Sequence, residues 1–282
     1  EEPAPHLPEQ LALEDKWILS QYNTVVKEVT ENLEKFELGM AVQKLHDFIW
    51  DVFCDWYIEL AKIRLQQGGE AAQAARAVLV YVMSNTLKLL HPFMPFITEE
   101  IWQTLPHEGE AILVSEWPVY DPALAFAQEE AQMERIMRAI RAVRNRRSEM
   151  NVPPSKKAHV YIETADEATF SGAALFFQRL AYASEVTVGP AFEIPGSVLV
   201  VADNARLYIP MGELVDLEAE KARLNRELEN ARKQLATVEA KLNNAQFVSK
   251  APAPIVQNQR DTQAKLLDQI KMIEQSIAEM TA

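Results

Sequence analysis

The sequence MAVQKLHDFIWDVFCDWYIELAKIRL, residues 40–65, repeats apolar side chains at steps of three and four residues. Such a repeat is typical of a helix. Because the apolar positions cover more than half of the circumference, we expect this helix to lie at the centre of a helical bundle. These positions are Val42, Leu45, Phe48, Ile49, Val52, Phe53, Trp56, Tyr57 and Leu60.

The segments on either side of this helix carry the same repeat. The sequence LEDKWILSQYNTVVKEVTENLEKF, residues 13–36, predicts a helix before it. The sequence AARAVLVYVMSNTLKLL, residues 74–90, predicts a helix after it. The second of these must end near Pro92 and Pro95, because proline cannot continue a helix.

Two further helices are predicted beyond the prolines. In FITEEIWQTLP, residues 96–106, Thr98 is expected to cap a short helix, with acidic residues in its first turn. A longer helix is expected over roughly residues 124–148. Residues 1–155 are therefore predicted to form a helical domain.

The periodicity changes at about residue 156. Residues 156–212 contain four short runs that read as strands, with a helical pattern between the first two. We expect a small α+β module, too short to be stable without docking on its neighbours. The strand-like runs are KKAHVYIET (156–164), EVTVG (185–189), SVLVVA (197–202) and ARLYIP (205–210).

The last part of the chain, residues 213–282, has apolar residues at alternating steps of three and four. The interruption FVSKAPAP (247–254) contains Pro252 and Pro254, where one helix must end and another can begin. Two heptad segments joined by a short proline-containing turn predict an antiparallel coiled-coil hairpin. Such an arm would reach roughly 50 Å, at 1.5 Å per helical residue.

Basic residues are concentrated in one part of an otherwise acidic chain. The formal net charge is −13, yet the stretch from Arg135 to Lys157 has Glu149 as its only acidic residue. This basic island indicates contact either with a polyanion or with acidic surface of the same chain. Its basic residues are Arg135, Arg138, Arg141, Arg144, Arg146, Arg147, Lys156 and Lys157.

The composition speaks against several classes of protein. No apolar run approaches the roughly 20 residues that span a bilayer, and we expect no secretory signal. The single cysteine, Cys54, rules out an intramolecular disulfide and a cysteine-based zinc cluster. The histidines are too scattered to predict a metal site. The sequence contains no Gly-rich nucleotide-binding motif, and no group of residues in it predicts a catalytic site. A cytoplasmic location is expected.

Five motifs follow one another along the chain: LEDKWILS (13–20), FCDWYIELAK (53–62), LLHPFMPFITEEIWQ (89–103), IRAVRNRRSEMNVPPSKK (140–157) and FVSKAPAPIV (247–256). In this order they resemble the C-terminal half of the bacterial valyl-tRNA synthetase family, which are class I enzymes. The Lys-Ala-Pro motif distinguishes that family from isoleucyl relatives, which typically end in a cysteine-rich zinc module. The resemblance covers the chain nearly from end to end.

The resemblance implies the tRNA-recognising part of such a valine–tRNA ligase. Residues 1–155 would be the helical anticodon-binding domain without its first helix, 156–212 a linking module, and 213–282 a tRNA-binding arm. The full-length enzyme uses ATP and Mg²⁺ to attach valine to tRNA(Val) in translation. The family's catalytic signatures are absent here, so the resemblance implies tRNA binding without catalysis. The chain alone is expected to bind tRNA(Val) as a monomer. It is expected to have no activity, no cofactor, and no membrane or DNA partner.

The resemblance also suggests which residues read the anticodon. Asp15, Lys16 and Trp17 occupy a family motif whose aromatic residue stacks on the middle anticodon base. Lys16 and Trp17 are thus the expected anticodon-binding residues, since splayed bases need a π-face and a nearby cation. The alternative is that Trp17 is a core residue, which its helical spacing from Leu13 also fits.

The basic island is expected to contact the tRNA backbone through Arg138, Arg141 and Arg147. These three should face solvent, because the apolar stripe from Met133 to Val143 would face the core, and a guanidinium suits phosphate. The alternative is a set of ion pairs with the acidic first helices.

Charge is also graded along the predicted arm. Six basic residues against two acidic ones lie between Arg232 and Lys265, whereas the base holds nine acidic residues against four basic ones. A basic tip on an acidic stalk indicates contact with a polyanion. In the related enzymes this arm reaches the tRNA elbow, which implies the elbow-binding residues Arg232, Lys233, Lys241, Lys250 and Arg260.

Two competing hypotheses remain open from the sequence. The first is the same region of an isoleucyl-type synthetase. The second is a non-enzymatic scaffold that pairs with another protein through its coiled coil, which would make the chain a dimer.

Overall fold

The computed structural model describes residues 6–214, 217–243 and 253–279. Contacts divide the chain into two compact units, Glu1–Pro210 and Met211–Ala282. The first unit holds a set of packed helices and a four-stranded sheet, and the described part of the second is helical. The prediction of a mainly helical protein with a small sheet is confirmed. The domain boundaries at residues 155 and 212 stay predictions.

Six helices form most of the first unit: α1 (Leu13–Glu34), α2 (Leu38–Asp47), α3 (Ile58–Gln67), α4 (Gly69–Leu90), α5 (Pro95–Trp102) and α6 (Ala127–Glu149). The helix α1 contacts α2, α4 and α6, and α3 packs against α4. The buried residues of α1 include Trp17, Ile18 and Tyr22, as its three- and four-residue repeat predicts. The core of the unit therefore surrounds α1.

The predicted central helix contains a π-helical segment. Between α2 and α3, ten residues from Phe48 to Tyr57 adopt the wider π-helical turn. The Ile58 N–H donates to the Phe53 carbonyl, five residues back, and the rings of Phe48 and Phe53 stack with centroids 6.4 Å apart. Such segments are rare and often occur at functional sites. The helical repeat in the sequence did not predict this one.

The prediction that Thr98 caps α5 is wrong. The helix begins at Pro95, because a first helical position tolerates the missing N–H of proline. Thr98 lies one turn inside the helix, where its hydroxyl donates to the Met94 carbonyl at 2.9 Å and lies 2.8 Å from Nδ1 of His91. This side chain therefore ties the proline-containing turn to the helix that follows.

A buried carboxylate anchors the start of α1. Asp15 is 0% exposed, and it accepts hydrogen bonds from the Tyr57 hydroxyl at 2.8 Å and from the Arg64 guanidinium. It also accepts the Ala12 N–H at 3.2 Å, while Arg64 lies 3.3 Å from the carboxylate of Glu14. One side chain thus joins the N-terminus of α1 to the end of the π-helical segment and to α3.

All four predicted strands form, and they make one mixed sheet: β1 (Ala158–Thr164), β2 (Ala183–Gly189), β3 (Ser197–Ala202) and β4 (Ala205–Pro210). The strand order is β2-β1-β4-β3. Strands β1 and β2 are parallel, whereas β4 is antiparallel to both β1 and β3. Tyr161 lies opposite Thr187 on one side and opposite Tyr208 on the other, which fixes the register of the central strands.

The helical pattern between β1 and β2 forms two short helices, α7 (Glu167–Gly172) and α8 (Ala174–Leu180), instead of the one predicted. Both α7 and α8 contact β2, and α6 contacts β3 and β4. Ion pairs tie α6 to this module, from Arg135 to Asp166 at 3.2 Å and from Arg138 to Asp203 at 2.7 Å. The sheet is therefore held against the arginine-rich helix.

The described part of the second unit consists of α9 (Met211–Leu214), α10 (Leu217–Leu242) and α11 (Ala253–Glu279). The Arg232–Glu274 ion pair at 2.6 Å and the hydrogen bond from Gln263 to Glu239 at 3.2 Å show that α10 and α11 run antiparallel. Part of the predicted proline-containing turn, 247–252, lies outside the described residues, and coiled-coil geometry stays a prediction. The buried contacts between the two helices are Leu224, Leu228, Ala231, Ile270 and Ile273.

Replacing Asp15 with alanine is expected to destabilise the protein by about 3 kcal/mol, because Arg64 loses one of its two carboxylates and the Tyr57 hydroxyl loses its acceptor. Urea denaturation followed by circular dichroism measures this loss. Asp47→Ala, at a partly exposed position of α2, is the control and should change stability by no more than about 0.5 kcal/mol. Equal effects of the two changes would contradict the anchoring role of Asp15.

A second prediction concerns Glu14. Burial raises the pKa of this carboxyl above its ordinary value of 4.5, and the charge of Asp15 adds to the rise. The folded state therefore holds this proton more tightly than the unfolded state. The resulting stability is fully present below pH 4.5 and is lost as the pH rises through the folded-state pKa.

Because glutamine mimics the protonated form, Glu14→Gln is expected to be more stable than the parent at neutral pH. This gain should shrink as the pH falls toward the ordinary value of 4.5. Urea midpoints across a pH series give the result, with Glu31→Gln, exposed on the same helix, as the control. A gain that does not depend on pH would refute this account.

Candidate nucleic-acid interface

The arginine-rich helix α6 has one buried face and one exposed face. Its predicted apolar stripe is buried as expected, and the exposed face carries most of the basic island. This arrangement follows from the contact of α6 with α1. The buried positions are Met133, Ile136, Met137, Ile140 and Val143.

Arg138 is exposed, but its guanidinium already has partners inside the protein. It lies 2.9 Å from Glu134 on the same helix and 2.7 Å from Asp203, in the turn between β3 and β4. The hydrogen bonds that Arg138 donates to Glu134 and Asp203 raise its pKa. This agrees with the ion-pair alternative in kind, although the partners are not on the acidic first helices. An RNA phosphate would have to compete with two carboxylates here.

The prediction that Arg147 faces solvent is wrong. This side chain is 4% exposed, and its Nη2 donates to the carbonyls of Pro153, at 3.2 Å, and of Lys156. The ring of Tyr182 lies over the guanidinium, with its centroid 5.5 Å from Cζ, and burial lowers the pKa of Arg147. Arg147 therefore holds the segment after α6 instead of presenting a charge at the surface.

A groove opens beside the exposed face of α6. We call it the α6 groove, and its volume is about 900 Å³. Arg141 lies at one wall with its guanidinium 4.9 Å from the ring centroid of Trp56, which the π-helical segment supplies. The charged side chains that line the groove are Arg141, Arg144, Lys157 and Arg179, with Asp51, Asp55 and Glu59.

The charges in the α6 groove are not evenly matched. Glu59 lies 3.2 Å from Arg179 and also accepts a hydrogen bond from Lys62. The hydrogen bond from Lys62 lowers the pKa of Glu59, and the one from Arg179 adds to this effect. Within the described part of the chain, no carboxylate lies at ion-pair distance from Arg144 or Lys157. These two cations are available to an anionic ligand.

The two expected anticodon-binding residues, Lys16 and Trp17, differ in their exposure. Trp17 is 3% exposed, so its ring presents no open face, and the alternative of a core residue accounts for this. Lys16 is partly exposed, with its Nζ 2.9 Å from Glu129 and 5.7 Å from the ring centroid of Phe126. The hydrogen bond from Lys16 lowers the pKa of Glu129. Asp15, in the same motif, serves as the buried anchor of α1.

The arm residues differ in how free they are. Arg232 pairs with Glu274, and Lys233 lies 2.7 Å from Glu229. Lys241 and Arg260 are exposed, and no carboxylate among the described residues lies at ion-pair distance from either one. Lys250 lies outside the described residues.

Three groove residues were not among the predicted contacts. Arg144 and Lys157 belong to the basic island, so the charge count could have found them. Arg179 lies on α8, and no sequence pattern predicted a contact there. Only the packing of the sheet module beside α6 brings it to the groove.

Within the described residues, no group of three His, Cys, Asp or Glu side chains is arranged to hold a metal ion. None of the helices that the structure describes is both long and apolar enough to cross a membrane.

The chain is similar to curated valine–tRNA ligases along almost its whole length. It is 43% identical to that of Carboxydothermus hydrogenoformans over 273 residues, which cover 95% of this chain and 31% of the relative. It is 44% identical to that of Clostridium perfringens over 270 residues, covering 94% of this chain and 31% of the relative. The Listeria innocua protein is 42% identical over 275 residues, which cover 93% of this chain and 31% of the relative. The chain thus spans about a third of the length of these relatives.

Two family models match consecutive parts of the sequence. The model of the valyl tRNA synthetase tRNA binding arm matches residues 216–281, which include α10 and α11. The model of the anticodon-binding domain of tRNA ligase matches residues 15–162, more than half of the chain, from the buried Asp15 through α6 to β1. The chain therefore belongs to the family of tRNA-ligase anticodon-binding domains.

Proposed function

We propose that the chain is the tRNA-recognising part of a valine–tRNA ligase. The α6 groove is the observation that carries this proposal, because a chain with a net charge of −13 places four cations around one open concavity. Phosphate contacts dominate the affinity of proteins for nucleic acids, and arginine is the side chain best suited to them. The match to an anticodon-binding family and to a tRNA-binding arm supports RNA as the polyanion.

The relatives' names favour valine over the competing hypotheses. The three relatives described above are all valine–tRNA ligases, which speaks against an isoleucyl-type enzyme and against a non-enzymatic scaffold. The ligation of valine to tRNA(Val), with ATP and Mg²⁺, is proposed for the full-length protein. For this chain we propose tRNA binding alone, as a monomer.

Anticodon recognition is proposed for the surface around Lys16. A depression of about 420 Å³ borders α1, α6 and the π-helical segment, with Trp17, Asp51 and Arg141 in its lining. Trp17 belongs to this lining, but its ring is too buried to stack on a base without a rearrangement. Lys16, which directly precedes Trp17 in the chain, is proposed to supply a cation to the neighbouring surface by exchanging Glu129 for the RNA.

We further propose that α10 and α11 form an antiparallel coiled-coil hairpin whose free end contacts the tRNA elbow. The apolar contacts between the two helices support the coiled coil. The exposed Lys241 and Arg260 support the polyanion contact, and Lys250 is assigned to the same end by its place in the sequence. Arg232 and Lys233, each paired with a glutamate, are weaker candidates.

Binding of labelled tRNA by the 282-residue chain, followed by fluorescence anisotropy across a salt series, tests the proposed function. We expect affinity for tRNA(Val) above that for a non-cognate tRNA, and a steep loss with salt because bound cations release counterions. Arg141→Ala should weaken the binding of both tRNAs by the same factor, since phosphate contacts carry no sequence information. Arg206→Ala, exposed on β4 and paired with Glu163 at 3.3 Å, is the control. Absence of salt-dependent binding would refute the proposal.

Reversing two charges on the arm tests the elbow contact. The double change Lys241→Glu with Arg260→Glu is expected to weaken tRNA binding roughly tenfold or more, because two attractive contacts become repulsive. The matched control reverses Arg226 and Lys271, which are exposed on the same two helices. Circular dichroism checks that helicity is unchanged in both proteins. If both double variants lose the same affinity, the effect is one of net charge and the elbow assignment fails.

A further inference from the structure

We propose that the α6 groove seats a phosphodiester group between Arg144 and Lys157, and that Arg147 is a positioning residue which sets the place of Lys157. This inference rests on the proposed function, since the phosphodiester would be that of the bound tRNA. It goes beyond that function by naming the two contacting residues and the device that holds one of them in place.

The first step is the availability of the cations. Arg146 of the same island pairs with Glu149 at 3.1 Å, and Arg179 across the groove pairs with Glu59. Arg144 and Lys157 have no such partner among the residues that the structure describes, and both line the groove. An anion that enters the groove can therefore bind two cations without displacing a carboxylate from either one.

The second step concerns the segment that carries Lys157. Two carbonyls of this segment, those of Pro153 and Lys156, accept hydrogen bonds from the buried Arg147 guanidinium. The Val152 N–H donates back to the Arg147 carbonyl at 2.9 Å. The segment is thus fastened at both ends, and Lys157 follows directly on the second fastened carbonyl.

The third step is the cost of this arrangement. A buried guanidinium loses hydration, which is unfavourable unless its donors are satisfied. Two non-glycine residues also adopt left-handed backbone conformations around it, Asn151 with a φ of 54° and Tyr182 with a φ of 57°. Such conformations cluster at sites where geometry is functionally constrained. A fixed position for Lys157 is a function that accounts for them.

The opposite wall of the groove limits where the anion can lie. Glu59 is compensated by Lys62 and Arg179, but Asp51 and Asp55 are exposed and repel a phosphate. A phosphodiester is therefore held toward the α6 side. The prediction that follows has an unusual sign: Asp55→Asn should strengthen tRNA binding.

The affinity of the 282-residue chain for labelled tRNA(Val), measured across a salt series, tests the contacts. Arg144→Ala and Lys157→Ala are each expected to weaken binding roughly three- to fivefold and to reduce the salt slope by about 0.7–0.9. Asp55→Asn should raise the affinity up to about threefold. The matched control is Arg146→Ala, two residues further along α6 and paired with Glu149, which should leave both quantities unchanged. Unchanged binding by Arg144→Ala and Lys157→Ala would overturn the site.

A double-mutant cycle tests the positioning role. Arg147→Ala should weaken binding about as much as Lys157→Ala does, and should add nothing in the Lys157→Ala background. If the two losses multiply, Arg147 does not act through Lys157. Because Arg147→Ala could unfold the protein, Arg147→Lys is measured beside it, with thermal melts of all variants. A lysine keeps the charge but cannot bond both carbonyls in the same way, so it should show the same dependence on Lys157.

The outcomes separate this inference from the proposed function. If the unmodified chain shows no salt-dependent binding of tRNA, the proposed function fails and this site fails with it. If the unmodified chain binds tRNA and the groove variants bind as it does, the site alone fails.

Discussion

The buried carboxylate of Asp15 is the contact on which the rest of the first unit depends. It joins three elements that are far apart in the sequence, because Tyr57 closes the π-helical segment and Arg64 lies on α3. By fixing the start of α1, it also helps to position α6, which packs against that helix. A burial of this kind is favourable only when all of its hydrogen bonds are made, so these elements must assemble together. Asp15, which shares a family motif with the expected anticodon-binding residues Lys16 and Trp17, is thus a structural residue.

Charge in this protein is divided between holding the fold and remaining free. Arg64, Arg135, Arg138 and Arg147 are all engaged with carboxylates or carbonyls of the first unit. Arg144 and Lys157 are not, although they lie in the same basic stretch as three of those four. A count of basic residues therefore overstates the surface that an RNA can use. What distinguishes the two groups is which acceptors the tertiary packing brings to each side chain, such as Asp15 for Arg64 and Asp203 for Arg138.

Periodicity predicted the helices and all four strands, because a buried stripe repeats with the geometry of its element. It did not reveal the π-helical segment, since the apolar residues from Phe48 to Tyr57 also contain the three- and four-residue steps of an ordinary helix. The site was harder to predict. Arg147 is buried because its guanidinium bonds carbonyls of the segment after α6, and Arg179 reaches the groove only through tertiary packing. The basic island gave the region, and the structure was needed to tell its members apart.

The π-helical segment also constrains how the sequence can change in length. Because a π-helical turn holds more residues than an α-helical turn, the direction in which α3 leaves this segment depends on the number of residues between Phe48 and Tyr57. A change in that number would turn all that follows. Arg64 would then point away from Asp15, and the walls of the groove would no longer face each other. Point substitutions leave this phase intact, whereas a single-residue deletion does not. In this stretch the number of residues matters as much as their identity.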